Sequence, residues 1–470
     1  MTEGARPTTL PVRALLALAA GVVFDVLLIP SRGHYRADSM ALVFVALALV
    51  LTLAWDLFRA NPRTVGADAA ANKLQGALFL LAASGLFDTK LVVDPEGSLT
   101  FLRVLAAVNT ALVATYYLEG RWPLPAWFRD VRFAAFGAVL LGAGMETIRL
   151  VPHPAIDVWT VQTEGARALL HGANPFEVVA MHDTAPGVVR DDVPYVYPPF
   201  QVFVTIPALL LGDVRYAMLA ALLVAGFVIR AIARRSAPPD LPASLVDAPT
   251  LLVWLAPKLL YIVQQAWIDP VQLALIAITT LLLVQGRARA ATIALGCVLA
   301  AKQTMFWIIP LAYLAFPFLR FSHFVAIGAI AAATYVPFAA WNFRAWFHAN
   351  IAFVGTLPAR DDALSFVNWA WRALHVRVPH VVGFPLALGA VVLVAVRSRR
   401  TLRAFGGGLV VTYFAFFLFN KWTFANYFFL LGGLSSIAAA MALGARVGEG
   451  ENGEQATGSE RQAMEATGLR

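Results

Sequence analysis

One carboxylate, Asp157, stands out because of its surroundings. It opens a long polar loop, residues 151–197, in a chain that is otherwise built to lie in lipid, and the apolar sequence resumes after Pro198-Pro199. A carboxylate just outside a membrane helix is suited to exchange a proton with a bound reactant. Asp is also a favoured N-cap, and a short helix closed by Gly172 is predicted over residues 158–171. The two roles are compatible.

The composition indicates a membrane protein. Hydrophobic residues make up 60% of the 470-residue chain, and its mean hydropathy is +0.71, whereas soluble domains are roughly 45–50% apolar. The formal net charge is +8, but the arginines lie in short connections between apolar runs, as in cytoplasmic loops of membrane proteins. Nucleic acid is not expected as a partner, because it requires a contiguous basic face. The sequence therefore predicts an all-α polytopic membrane protein in a lipid bilayer.

Windows of about 20 apolar residues, the length of one crossing, predict about fourteen transmembrane helices. They lie near residues 12–30, 39–57, 73–92, 99–118, 132–150, 214–233, 249–264, 269–285, 289–302, 304–319, 322–341, 381–396, 404–420 and 424–443.

The apolar stretch 198–212 determines the predicted topology, because it is short for a crossing. If it stays on the outer side, the arginine clusters at 230–235, 287–289, 320 and 397–403 all fall on the cytoplasmic side. Both termini are then inside, and two long outer loops cover residues 151–213 and 342–380. A tail over residues 446–470 is predicted to be disordered and cytoplasmic, since it has too little apolar surface to fold.

This topology gathers polar side chains at the outer face. They are Asp157, Lys302, Asn368, Lys421 and Tyr427, together with Gln264, Gln265 and Asp269 in a short turn before Pro270. The inner connections contain no Gly-rich phosphate loop. Any chemistry is therefore expected to use a reactant that is available outside.

The order of several motifs resembles a known family. The loop Asp is followed by an aromatic residue two positions on, then by Gly-x-Asn-Pro-Phe at residues 172–176 and by Tyr-Pro-Pro at 197–199. Later come Gln265 with Asp269, the stretch 295–302 before Pro310, and an aromatic turn from Lys421 to Tyr427. Over roughly residues 130–443 the chain resembles the polyprenyl-phosphate-sugar-dependent glycosyltransferases of the GT-C fold, particularly the alpha-1,2-mannosyltransferase-like group. The order and common sidedness of the motifs carry this resemblance.

The resemblance implies a reaction and roles for residues. A sugar, mannose or another pentose or hexose, passes with inversion from a polyprenyl phosphate donor to a hydroxyl group of a glycolipid or polysaccharide acceptor, outside a bacterial cell membrane. Asp157 is the expected general base. The departing phosphate needs cationic partners, for which Lys302, Lys421 and Arg372 are the candidates. Expected substrate contacts are Tyr197, Gln265, Asp269, Asn368, Trp369, Asn426 and Tyr427.

The resemblance also implies a division of the chain. Residues 131–445 correspond to a GT-C-like helical bundle with a large first catalytic outer loop. Residues 1–130 form extra transmembrane helices without a counterpart, which either brace the module or bind a partner. The chain departs from the family at Asn426, where relatives often have His, so no acid or base role is carried over to this position.

Structural interpretations stand beside these functional ones. Lys302 either binds phosphate or extends its ammonium group to the membrane interface. Lys258 is either a functional intramembrane charge or the partner of Asp25 or Asp88. The tryptophans of the outer loops form either an interfacial belt or a sugar platform; they are Trp341, Trp346, Trp369, Trp371 and Trp422.

No cofactor is expected. Binding of a divalent cation at the acidic pairs Asp191-Asp192 and Asp361-Asp362 is left open, but such a site needs more oxygen ligands. A zinc site is unsupported, because the histidines lack zinc-ligand spacing. The alternative class is a secondary transporter or flippase of a lipid-linked substrate. A transporter would cluster its charges near mid-membrane around Lys258, whereas an enzyme would bring Lys302 or Lys421 close to Asp157.

Overall fold

A computed structural model of the protein describes residues 8–59, 63–88, 91–119, 122, 124–183, 190–397 and 401–444. The predicted tail, residues 446–470, lies outside the described residues. The first helices are α1 (Val12–Val26), α2 (Leu28–Ser31), α3 (Ala37–Leu57), α4 (Ala67–Phe87), α5 (Thr100–Glu119) and α6 (Ala126–Leu150). The middle of the chain forms α7 (Asp157–Leu170), α8 (Pro199–Leu210), α9 (Arg215–Ser236), α10 (Ala243–Trp254), α11 (Leu259–Gln264), α12 (Asp269–Val284), α13 (Ala288–Ala301) and α14 (Ile308–Ala315).

The remaining helices complete the bundle. They are α15 (Phe321–Trp341), α16 (Phe343–Phe347), α17 (Phe353–Thr356), α18 (Phe366–Leu374), α19 (Gly383–Arg397), α20 (Leu402–Leu418) and α21 (Ala425–Ala442). Two short two-stranded antiparallel sheets accompany them: β1 (Thr9–Pro11) pairs with β2 (Thr64–Gly66), and β3 (Val179–Asp183) pairs with β4 (Arg190–Pro194).

The prediction of an all-α polytopic membrane protein is confirmed. In the described part of the chain, 8 helices are long and apolar enough to cross a membrane. They are Val12–Ser31, Ala37–Leu57, Thr100–Glu119, Trp127–Leu150, Arg215–Ser236, Phe321–Trp341, His380–Arg397 and Ala425–Ala442. Six further apolar helices are shorter: Pro199–Leu210, Ala243–Trp254, Asp269–Val284, Ala288–Ala301, Gln303–Ala315 and Ala404–Leu418.

Three predicted crossings differ from the observed helices. The window 249–264 is two helices, α10 and α11, because Pro257 lacks an N–H group and disfavours helical backbone at the residue before it. The window 304–319 is a 3-10 helix, Gln303–Trp307, followed by the short α14. Helix α4 begins before the predicted 73–92 window, at Ala67, because hydropathy alone misses a polar first turn.

One apolar core contains both the N-terminal helices and the later ones. Helix α21 is buried along nearly its whole length, and it packs against α1, α20, α10, α9 and α12. Small residues allow this packing: a Cβ atom at Gly433 would lie 2.5 Å from a Leu273 methyl carbon. The helices of residues 1–130 are therefore built into the core that the later helices share.

Helix α8 begins and ends at the same end of the bundle. Before it, Tyr197 packs near Met218 in the first turns of α9. After it, Arg215 donates a 2.7 Å hydrogen bond to the carbonyl of Val151, just beyond α6. Since Asp157 follows Val151 closely, we call this the Asp157 end of the bundle.

Candidate active site at the Asp157 end

Asp157 is the first residue of α7. Ile156, which precedes it, has extended backbone and makes no side-chain cap, whereas Asp157 Oδ1 accepts a 2.8 Å hydrogen bond from the N–H of Val158. The carboxylate thus lies at the positive end of a helix. Ile156 is therefore the N-cap residue, and the capping role expected of Asp157 is replaced by this bond within the first turn. The Asp157 side chain is partly exposed, so the bond coexists with access from solvent. As predicted, Gly172 follows the helix in the left-handed region, at φ +73.

Tyr197 lies at the end of the first outer loop, near enough to Asp157 to be affected by its charge. Its ring is 5.9 Å from that of Tyr195, which packs so closely on α7 that a Cβ atom at Gly165 would lie 2.4 Å from the Tyr195 ring. Burial raises the pKa of Tyr197 well above its ordinary value, and the nearby Asp157 and Asp269 raise it further. Its phenol therefore remains a neutral hydrogen-bond donor close to both carboxylates.

Asp269 connects three helices. Its Oδ1 accepts a 3.0 Å hydrogen bond from Lys302 Nζ, and its Oδ2 accepts a 2.9 Å hydrogen bond from Asn426 Nδ2. Lys302 Nζ also lies 4.7 Å from the centre of the Tyr427 ring, a cation–π contact. The Asp269 side chain is 1% exposed and that of Lys302 13% exposed. Lys302 is thus part of a buried ion pair and does not extend to the interface.

The turn before Asp269 is held by a buried glutamine of α7. Gln162 Nε2 donates a 2.7 Å hydrogen bond to the carbonyl of Ala266, whose φ of 52 is unusual for a residue other than glycine. A second glutamine, Gln201 of α8, donates a 2.8 Å hydrogen bond to the carbonyl of Ala301, next to Lys302. Helices α7 and α8 therefore fix both partners of the ion pair relative to Asp157.

Arg360 of the second outer loop also approaches Asp157. Its guanidinium group makes two 2.8 Å hydrogen bonds to the carboxylate of Asp362. That hydrogen bonding raises the pKa of Arg360, and Asp157 is among the carboxylates that raise it further. We did not predict Arg360 from the sequence. The feature of the sequence that could have identified Arg360 is its position next to the acidic pair Asp361-Asp362. That pair was interpreted only as a potential metal site.

Several predicted site residues hold the loop that carries Arg360. Asn368 Nδ2 donates to the carbonyls of Arg360 and Ala363, at 2.6 and 2.7 Å. Arg372 donates to the carbonyl of Asp361 at 2.9 Å, and Lys421 donates to the carbonyl of Leu357 at 2.7 Å. Trp369 packs edge-on against Phe44 of α3, at 5.0 Å, and Gln265 is buried at the end of α11. The structure therefore places Asn368, Arg372 and Lys421 as supports of this loop.

The first N-terminal connection also contacts this loop, and we call residues 32–36 the N-terminal clasp. His34 pairs with Ala363 in an isolated β-bridge, and its Nδ1 lies 3.1 Å from Asp362 Oδ2. The Tyr35 N–H donates to the carbonyl of Asp362 at 2.7 Å. At Gly33, with φ +83, a Cβ atom would lie 2.0 Å from the backbone nitrogen of Ala425. The clasp therefore contacts Ala425, the residue before Asn426.

Lys258 lies between α10 and α11 and pairs with Asp88, at the end of α4. Of the two structural partners expected for Lys258, Asp25 and Asp88, the structure shows Asp88. Its side chain is 1% exposed, so the charge is buried together with its counterion.

Where the structure describes the chain, it gives no support for a metal site at the acidic pairs, and it leaves both interpretations of the outer tryptophans open. Among the described residues, no group of three or more His, Cys, Asp or Glu side chains could hold a metal ion. The side chains of Asp191 and Asp192 lie outside the described residues, and Asp362 is bonded to Arg360. Trp341 and Trp371 are exposed, which suits either a membrane belt or a sugar platform.

The comparisons with known proteins give structural matches but no family or sequence match. No protein-family model matches the chain. No curated protein sequence is significantly similar to it. Among solved structures, the crystal structure of ArnT from Cupriavidus metallidurans bound to undecaprenyl phosphate matches with a TM-score of 0.41 and 16% identity, over 71% of this chain. The match spans 63% of the ArnT chain. The function proposed below rests on this chain's own residues.

Proposed function

We propose that this protein is a membrane glycosyltransferase of the GT-C type. It transfers a sugar from a polyprenyl phosphate donor to a hydroxyl group of a glycolipid or polysaccharide acceptor, at the extracytoplasmic face of the cell membrane. One observation carries the proposal: Asp157, Tyr197, Arg360 and the Asp269–Lys302 pair come from distant parts of the sequence and lie at one end of the bundle. A partly exposed carboxylate thus lies near the cation Arg360, and Tyr197 lies near both this carboxylate and that of Asp269, which pairs with Lys302.

Asp157 is the proposed general base. The acceptor oxygen attacks the anomeric carbon of the donor, the bond from that carbon to the phosphate oxygen breaks, and the bonding electrons leave with the phosphate. The acceptor's proton passes to the Asp157 carboxylate, which must lie within hydrogen-bond reach of the hydroxyl group. A single displacement of this kind inverts the anomeric configuration. The neutral phenol of Tyr197 is the proposed hydrogen-bond donor to the substrate.

Arg360 and Lys302 are the proposed partners of the leaving phosphate. A guanidinium group has five N–H donors, and Asp362 accepts from Nε and Nη2 of Arg360. Lys302 has three donors, one of which is given to Asp269. Charge-assisted hydrogen bonds stabilise phosphate more strongly as charge develops on it. Lys421 and Arg372, already bonded to backbone carbonyls, are assigned to orienting the loop that carries Arg360.

The test is a transfer assay on membranes that contain the protein. Radiolabelled polyprenyl phosphate sugars, covering mannose, arabinofuranose and other hexoses, are supplied with endogenous lipid and polysaccharide as acceptors. We expect label from one donor to appear in an acceptor only when the protein is present, with or without EDTA, because Arg360 and Lys302 supply the charge that a metal ion would give. Absence of transfer from every donor would contradict the proposal.

A second candidate is the transport or flipping of a lipid-linked substrate. The interruption between α10 and α11, where buried Lys258 pairs with Asp88, favours it, because transporters use discontinuous helices with charges at the break. In that case Lys258→Met would abolish movement of a labelled lipid across vesicles, while Asp157→Asn would leave it intact. The glycosyltransferase proposal expects Asp157→Asn to abolish transfer.

A further inference from the structure

A polar cavity lies at the opposite end of the bundle from Asp157. Its volume is about 240 Å³, and it is formed by the first turn of α6, the last turns of α9 and the connection to α10. Helix α6 has 25 residues, so its two ends are roughly 37 Å apart at 1.5 Å per residue. This distance exceeds the roughly 30 Å of a bilayer's hydrocarbon core. The cavity and the candidate active site therefore face opposite membrane surfaces.

Arginine side chains dominate the charge of this cavity. Arg129, Arg230 and Arg234 line it with Asp247, and Pro238 and Leu241 form an apolar wall. In the surrounding network, four guanidinium groups are paired with three carboxylates. The pairs are Arg129 and Arg132 with Glu119, Arg230 with Asp247 and Asp130, and Arg234 with Asp130. The network therefore has one positive charge in excess.

Among the arginines that line the cavity, Arg129 and Arg234 have exposed side chains. A single oxygen, Asp130 Oδ1, accepts from both Arg230 and Arg234. Arg230 is fixed by a buried 2.7 Å bond to Asp247, whereas the Arg234 side chain is 49% exposed. A guanidinium group has five donors, and in the described chain Asp130 accepts from one nitrogen of Arg234. Arg234 thus retains donors toward a ligand that enters from the solvent.

We propose that this cavity binds the phosphate group of an anionic ligand, either a phospholipid headgroup or free phosphate. Phosphate offers several acceptor oxygens in the geometry that arginine pairs prefer, and its negative charge balances the excess of the network. Basic pockets between transmembrane helices at a membrane surface suit anionic headgroups, and the apolar wall suits the first carbons of a lipid. The proposal uses no residue of the candidate active site and does not depend on the proposed function.

The test measures thermal unfolding of the full-length protein in neutral detergent. Phosphatidylglycerol is titrated against phosphatidylcholine with the same acyl chains, and a separate series uses inorganic phosphate against chloride at matched ionic strength. A ligand that binds the folded state raises the Tm. We expect phosphatidylglycerol to do so and phosphatidylcholine not to. Arg234→Gln should weaken the apparent affinity by about tenfold or more, while its exposed neighbour, tested as Arg235→Gln, should not.

The two series distinguish the sources of the phosphate group. A response to phosphatidylglycerol alone assigns the site to a lipid headgroup, and a response to inorganic phosphate as well assigns it to free phosphate. The proposal is overturned if neither ligand raises the Tm, or if Arg234→Gln and Arg235→Gln weaken binding equally. Should Arg234→Gln not fold, Arg129→Gln on the same cavity replaces it, since its side chain is 48% exposed.

Discussion

Asp269 is the residue on which the buried part of the candidate site depends. Its two carboxylate oxygens bind Lys302 and Asn426, from helices that lie far apart in the sequence. The sequence identified all three residues separately, because each lies where an apolar run ends on the same predicted side. It did not predict that Asp269 and Lys302 form an ion pair, because the pairing depends on how α12 and α13 pack. Arg360 was missed because its relation to Asp157 depends on the folded outer loop.

We predict that substitutions in the Asp269–Lys302 pair affect stability and activity differently. Lys302→Met leaves a buried carboxylate without its counterion, which should reduce the free energy of unfolding by about 3–5 kcal/mol. The double variant Lys302→Met with Asp269→Asn removes both charges and should recover most of that loss. Transfer should be lost in both variants, because the phosphate loses a cation. Thermal unfolding and the transfer assay give the two measurements.

Recovery of activity in the double variant would show that Lys302 acts only through folding. Its role would then be confined to holding Asp269, and the phosphate contact would pass to Arg360. Asn426→Asp is an informative companion, because it places a second carboxylate beside buried Asp269 and should destabilise the fold.

We predict that replacing Arg360 weakens binding of the donor. Arg360→Gln removes charge-assisted hydrogen bonds to phosphate, which contribute about 1.5–3 kcal/mol, so we expect KM for the donor to rise by roughly 10- to 100-fold. The control is Arg377→Gln, which removes an exposed guanidinium that stacks on Trp371 in the same outer loop. Equal donor KM values for the two variants would remove Arg360 from the phosphate site.

At the scale of elements, hydropathy predicted where helices lie but not where they break. The α10–α11 interruption follows from Pro257, whose effect was not included in the apolar windows. The N-terminal clasp could not be predicted from the sequence, since its bonds to Asp362 join segments more than 300 residues apart. The alternative that the first helices brace the later module gains support from these contacts.

The clasp predicts that Gly33→Ala impairs the candidate site. A methyl group there meets the backbone of Ala425 as well as the strain of φ +83. Gly172→Ala is a matched control, because Gly172 has φ +73 but open space around its Cβ position. Both changes should cost the roughly 1 kcal/mol of left-handed backbone strain. Gly33→Ala alone should lower the Tm further and raise the donor KM, as unfolding scans and kinetics will show.

Similar behaviour of Gly33→Ala and Gly172→Ala would mean that the clasp does not constrain the start of α21. The second outer loop would then be held chiefly by Asn368, Arg372 and Lys421.

For the whole molecule, composition was sufficient to predict an all-α bundle in a membrane, because apolar content and helix length depend on sequence locally. The predicted orientation of the bundle rests on α8, whose two ends share the Asp157 end, and on the arginine cluster 230–235 at the opposite end. Arginine-rich ends favour the cytoplasm. The division into residues 1–130 and 131–445 remains a prediction, since both parts share one core.

Cysteine accessibility tests this orientation. In a variant without Cys297, single cysteines replace Asp213, at the Asp157 end, and Arg235, at the arginine end. A membrane-impermeant thiol reagent added to intact cells should label position 213 and leave position 235 unlabelled. Labelling of position 235 together with protection of position 213 would invert the orientation and place Asp157 on the cytoplasmic side.

The most direct test of the account is the activity of Asp157→Asn in the transfer assay. The amide keeps the size of the side chain and an acceptor for the Val158 N–H, but it cannot take a proton. We expect transfer to fall by about 10²–10⁴-fold with an unchanged Tm, while Glu164→Gln, on the same helix, keeps full activity. Near-normal transfer by Asp157→Asn, with every donor that the unmodified protein uses, would contradict the assignment of Asp157 as the base.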